Sequence, residues 1–135
     1  MTTTPATDTP VRAHPFFSPI RREGAWAFVS GQMAFDAQLR VTGDGVAEQT
    51  RVCLARIDSI LQTEGLGLAN VVKATVWLQR VEDFAAFNAA YEACFRAASP
   101  QAPARSTVRA DLMVPGALVE IEVMAHATTA AAPAA

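Results

Sequence analysis

Two segments of this chain carry apolar residues at helical spacing, and each has only one apolar stripe. The first stripe is Thr50, Cys53, Leu54, Ile57, Ile60 and Leu61; the second is Phe84, Phe87, Asn88, Tyr91, Cys94 and Phe95. A helix with a single apolar stripe must bury that side and leave the other in water. The runs around these helices alternate with period two, as half-buried strands do. Two one-sided helices among several strands are satisfied when both helices pack on one face of a mixed sheet.

The strands follow from local composition. Phe16 and Phe17 lead into a short strand, and Ala25 to Ser30 is a stronger one, rich in aromatic and branched residues. That strand is expected to end in a turn at Ser30-Gly31-Gln32. Met33 to Thr42 reads as a further strand-like segment closed by Gly43-Asp44-Gly45. A helix begins near Val46, with Asp44 or Gly45 as its cap, and stops at Gly65 and Gly67. Val71 to Leu78 is a strand with Val72, Ala74, Val76 and Leu78 on one face. Glu82 and Asp83 are placed to start the second helix, and Ser99-Pro100 ends it. Two strands follow, around Arg105 and Glu120, separated by Val114-Pro115-Gly116. The predicted order is β-β-(β)-α-β-α-β-β, an α+β fold in one domain over residues 14–127. Residues 1–13 read as a loose Thr/Pro/Ala-rich arm and 128–135 as an alanine-rich tail. The sheet face opposite the helices is left uncovered, which is an oligomerisation signal.

Composition narrows the function classes. The formal net charge is −2, which is no electrostatic footprint for nucleic acid and argues against a nuclease or repressor. No apolar run reaches the ~20 residues that span a bilayer, and the first residues do not form a secretory signal. The expectation is a cytoplasmic protein with neither membrane nor nucleic-acid partners. Cys53 and Cys94 fall within helices and are expected as free thiols. Two cysteines and two histidines, widely separated, make no metal-ligand spacing, so no metal is expected.

Charges inside apolar strands are costly unless paired, exposed or used on a ligand. Arg105, Thr107, Arg109 and Asp111 share one strand face; Leu118, Glu120, Glu122 and Met124 share another. Two roles are open for Arg105: a clamp that binds a carboxylate through two parallel hydrogen bonds, or an ion pair with Glu120, Glu122 or Asp111. Glu120 is either a general acid/base or half of that ion pair. In a simple hairpin of the last two strands, Asp111 would face Glu120 and Arg105 would face His126. Arg105 and Glu120 would then meet only through a wider cleft or another subunit. Ser30-Gly31-Gln32 is not a nucleophile elbow, which needs serine between two glycines. Lys73, the one lysine, reads as part of a solvated face.

Seven short pieces in order carry a resemblance: Ser30-Gly31-Gln32, Glu48-Gln49-Thr50, Val71 to Val76, Asp83 to Asn88, Tyr91 to Phe95, Pro103 to Ser106, and Val119 to Glu122. With them the chain resembles the Rid (YjgF) family of reactive-intermediate enamine/imine deaminases. The resemblance runs from about His14 to Ala127. It implies a chorismate-mutase-like fold and a homotrimer with ligand clefts between subunits. It also implies hydrolysis of C=N bonds in 2-imino or 2-enamino acids, of the 2-aminoacrylate and 2-iminobutanoate type, to 2-oxo acids and ammonium, with no cofactor.

By the same resemblance, Arg105 matches the arginine that clamps the substrate carboxylate, and Glu120 the glutamate associated with the attacking water. Ser30 and Gly31 match a turn lining the cleft. Phe17 stands where tyrosine is frequent, Thr107 where many relatives carry cysteine, and Asp111 where a small residue is common. Phe17 keeps an aromatic wall without the hydroxyl; Thr107 keeps its backbone N–H; Asp111 would compete for Arg105 if near it. Other readings are a trimer that binds 2-oxo acids without turnover, and a deaminase confined to an aromatic or pyrimidine degradation route.

Overall fold

The computed structural model describes residues 15–128. The arm at 1–13 and all but Thr128 of the alanine-rich tail lie outside that range. Five strands and two helices form the domain: β1 (Ile20–Glu23), β2 (Trp26–Gln32), α1 (Gly45–Gln62), β3 (Val71–Leu78), α2 (Phe84–Ala98), β4 (Ala104–Arg109) and β5 (Val119–His126). The sheet order is β1-β2-β5-β3-β4. All neighbours are antiparallel except β3 and β4, which run parallel.

The predicted one-sided packing is present. Ala27, Val29, Ala74, Val76, Leu78, Val119, Ile121, Val123 and Ala125 point into one core with Cys53, Leu54, Ile57, Leu61, Phe87, Tyr91 and Phe95 from the helices. Among the described residues no helix covers the opposite sheet face. Trp26, Phe28 and Met124 lie there, 40%, 38% and 37% exposed. The Trp26 and Phe28 rings stack at 6.5 Å, and His126 meets the edge of Trp26 at 4.7 Å.

Three local expectations are corrected. Met33 to Thr42 is a loop with one isolated bridge, Phe35 to Val41. Its backbone is diverted by Asp36, whose carboxylate accepts the N–H groups of Gln38 (2.8 Å) and Arg40 (3.0 Å). Such local bonds compete with a ladder and close a turn. Val72 leaves the core face of β3, where Val71 takes its place, because the register slips between Val71 and Lys73. The second helix begins where expected, at Phe84 with Asp83 as its N-cap, after a 3-10 turn over Val81–Asp83. There the Asp83 carboxylate is held by Arg80 at 2.9 and 3.2 Å.

The third correction bears on function. Ser30-Gly31-Gln32 is no turn but the end of β2, and it contains a bulge. Val29 pairs with Val123 while Gln32 pairs with Ile121. One extra residue on β2 re-aims its side chains, as bulges do.

Candidate active site

Strand pairing decides where the charged residues go. β4 lies against β3 and not against β5, so the last two strands form no hairpin. Arg105 is level with Ala74 and Thr107 with Val76, both core-facing residues of β3. Arg105 and Thr107 therefore stand on the helix side of the sheet. Glu120 is level with Trp77, one step out of phase with the core-facing Ile121. It stands on the open side. β3 separates β4 from β5, so the two residues are also roughly 10 Å apart across the sheet, two strand spacings. Within one chain they do not meet.

Arg105 is held by α2. One guanidinium N–H donates to the Asn88 side-chain carbonyl at 2.7 Å. The guanidinium carbon lies 4.8 Å from the Tyr91 ring centre, 5.2 Å from Phe87 and 6.0 Å from Phe84. These ring faces attract the cation and fix its plane. Among the described residues no carboxylate pairs with it. Asp111 is taken by Arg109 at 2.9 Å and by the Gln79 amide at 3.3 Å, so it does not compete for Arg105. The ion-pair alternative is not realised, and the clamp has hydrogen-bonding capacity left for a ligand. Thr107 lies two residues along, its hydroxyl buried without a hydrogen-bond partner.

Asn88 and the three rings were legible as a helix stripe and within two of the matched pieces, with no site role attached to them. The one hint was an asparagine within an apolar row, where a polar side chain needs a partner.

Tyr91 is the one tyrosine in the chain. Burial pushes its phenol up to about 12, while the Arg105 charge pulls the other way. Its absorbance change is therefore expected near pH 12 in the folded protein and near pH ~10 in denaturant. The unfolded chain releases this proton first, so folding stability should fall as pH rises above ~10. An ultraviolet titration checks this; a folded-state midpoint near 10 would contradict the buried placement.

The other group of residues gathers at the β2 bulge. The Ser30 hydroxyl donates to the Ser18 carbonyl at 2.6 Å, and the Ser30 N–H donates to the Pro19 carbonyl at 2.9 Å. These bonds lay the segment carrying Phe17 beside the bulge, with the Phe17 side chain 63% exposed. The Glu120 side chain crosses Gly31 where a Cβ would otherwise sit. Glycine makes room here for that close approach. Partial burial raises the Glu120 carboxyl above its usual value, and the Glu122 charge adds to that. Gly31 and Glu120 are thus in contact, with Ser30 beside them holding the segment that carries Phe17, and Arg105, Thr107 and Asn88 form a second group on the other face.

Gly31→Ala probes this contact. The added carbon would strike mainly the end of a flexible side chain, so the stability loss should stay at about 1 kcal/mol, the low end for overpacking. The Glu120 carboxylate must move to make room. A thermal melt checks this; a loss of several kcal/mol would show that the Glu120 side chain cannot give way.

Among the described residues no helix is long and apolar enough to cross a membrane. Residues 7–127 match the family described as Endoribonuclease L-PSP. The chain is 39% identical over 118 residues to a RutC family protein of Synechocystis, covering 86% of this chain and 88% of that one. It is 33% identical over 102 residues to the 2-iminobutanoate/2-iminopropanoate deaminase of Salmonella typhimurium, covering 76% and 80%. The crystal structure of the Escherichia coli YjgF gene product superposes with a TM-score of 0.76 at 32% identity, over 84% of this chain and 90% of that one. By sequence and by fold alike, the chain belongs to the Endoribonuclease L-PSP (YjgF/Rid) family.

Proposed function

We propose that this protein hydrolyses reactive 2-imino and 2-enamino acids to 2-oxo acids and ammonium, in a site completed between subunits of a homotrimer. The observation that carries the reading is the state of Arg105: a guanidinium oriented by Asn88 and three rings, with no carboxylate of its own among the described residues. Such a group is matched to a ligand carboxylate. Glu120 supplies the complementary chemistry. Its raised carboxyl is suited to exchanging protons nearer neutral pH than an ordinary glutamate. Since the two stand on opposite faces of one sheet, a second copy must bring its Glu120 to this Arg105. The uncovered apolar face around Trp26, Phe28 and Met124 supports that assembly.

In this mechanism the substrate carboxylate docks on Arg105, with the Thr107 backbone N–H beside it. The imine carbon lies against Ser30 and Gly31, walled by Phe17. A water held by Glu120 adds to the C=N carbon while Glu120 takes its proton. The proton passes to the nitrogen, and the carbinolamine collapses to a carbonyl and ammonia. An imine is already electrophilic, so orientation and proton transfer are sufficient help and no cofactor is called for.

A second reading is a trimer that binds 2-oxo acids without turnover; the missing hydroxyl at Phe17 favours it. A trapping competition separates the two. An amino-acid oxidase generates 2-imino acids and semicarbazide captures them. Deaminase activity lowers semicarbazone formation, and light scattering should give three times the chain mass. Unchanged semicarbazone for every amino acid tested, with 2-oxo acids still bound, would leave the binding reading in place.

A further inference from the structure

Arg105 also borders a cavity of about 540 Å³ between the C-terminal half of α2 and the turn that leads into β4. That volume falls within the range of small-molecule sites. Its walls include the rings of Tyr91 and Phe95 together with Pro100 and Ala102. Two further charges border it, Glu92 and Arg96, and they neutralise each other at 2.6 Å. Arg105 is therefore the one lining charge without an ionic partner. Beside it lies the face of the Tyr91 ring, 4.8 Å from the guanidinium carbon. The cavity offers one anion site and a largely apolar body.

We propose that this cavity receives the side chain of the 2-imino acid whose carboxylate Arg105 holds, and that it sets the substrate class at large uncharged side chains. The imines of leucine, methionine and phenylalanine fit this description. A methyl group would leave most of the space without contacts, and empty apolar space forfeits dispersion attraction. A second carboxylate would enter apolar walls with no free cation to meet it. The inference rests on the carboxylate clamp of the proposed function and adds the substrate's side chain to it.

The test uses the full-length protein and two readouts. Calorimetry compares the 2-oxo acid of leucine with pyruvate. Three more buried carbons should give the leucine acid an advantage on the order of 30-fold or more. The trapping assay then compares the imines of leucine and alanine. Ala102→Phe fills the cavity from an exposed turn outside any helix or strand, and Ala102→Leu fills it less. In both readouts the leucine-to-alanine ratio should fall, about tenfold or more for phenylalanine and by less for leucine.

Equal affinity of the wild type for the two oxo acids would overturn the proposal, as would ratios unchanged in both folded variants. Selective binding without turnover of any imine would uphold the cavity and sink the deaminase reading. Turnover of imines with no such preference would do the reverse.

Discussion

Arg105→Ala is expected to lower kcat/KM for every 2-imino acid by about 10²-fold or more, while the protein stays folded. Two charge-assisted hydrogen bonds to a carboxylate are lost together, each worth roughly 1.5–3 kcal/mol. Folding loses much less. Arg105 makes one hydrogen bond to Asn88 and stacks on rings without a carboxylate partner. Such cation–ring contacts are worth about 0.5–2 kcal/mol. Arg105→Lys should recover little, because an ammonium keeps the charge but not the planar fork. Initial rates in the trapping assay beside a thermal melt read both effects. Rates within twofold of wild type in a folded Arg105→Ala protein would sink the clamp.

Glu120→Gln should cost about 10²–10⁴-fold in kcat, the usual contribution of a positioned acid/base. Its effect on stability should have the opposite sign. The Glu120 carboxyl is raised by burial and by Glu122, so the folded state holds this proton to higher pH than the unfolded state does. Stability contributed by the protonated form is complete below the unfolded value and lost as pH rises through the raised folded value. The glutamine variant lacks that loss. Chemical melts of both proteins from acid to neutral pH should show the variant gaining on wild type above the ordinary carboxylate range. A variant less stable than wild type at neutral pH would mean that the ionised carboxylate is stabilising, against this account. If the carboxylate is the base, wild-type activity should also rise with pH through the same interval.

Much of this was legible in local pattern. The period-two runs around Arg105 and Glu120 do form strands, and the one-sided stripes do place both helices on one sheet face. The matched pieces also pointed to the family. What misled was competition from side chains. Asp36 capturing two N–H groups turned an apparent strand into a loop, and a single extra residue turned an apparent turn at Ser30-Gly31 into a bulge. The Asp36 bonds leave no mark on hydrophobic periodicity, and the bulge shifts its phase only across Ser30-Gly31-Gln32, where no apolar side chain reports it.

From the sequence alone came the types of the elements, the residues that share a strand face, and the charged side chains needing an explanation. Only the tertiary structure decided that β5 runs through the middle of the sheet and β4 lies parallel to β3 at its edge. That choice put Arg105 over α2 and Glu120 over Gly31 on opposite faces. The reason is physical. Alternation is a property of one strand and says which residues point the same way. Which way that is, relative to another strand, depends on pairing between distant segments and on the helices that cover the result.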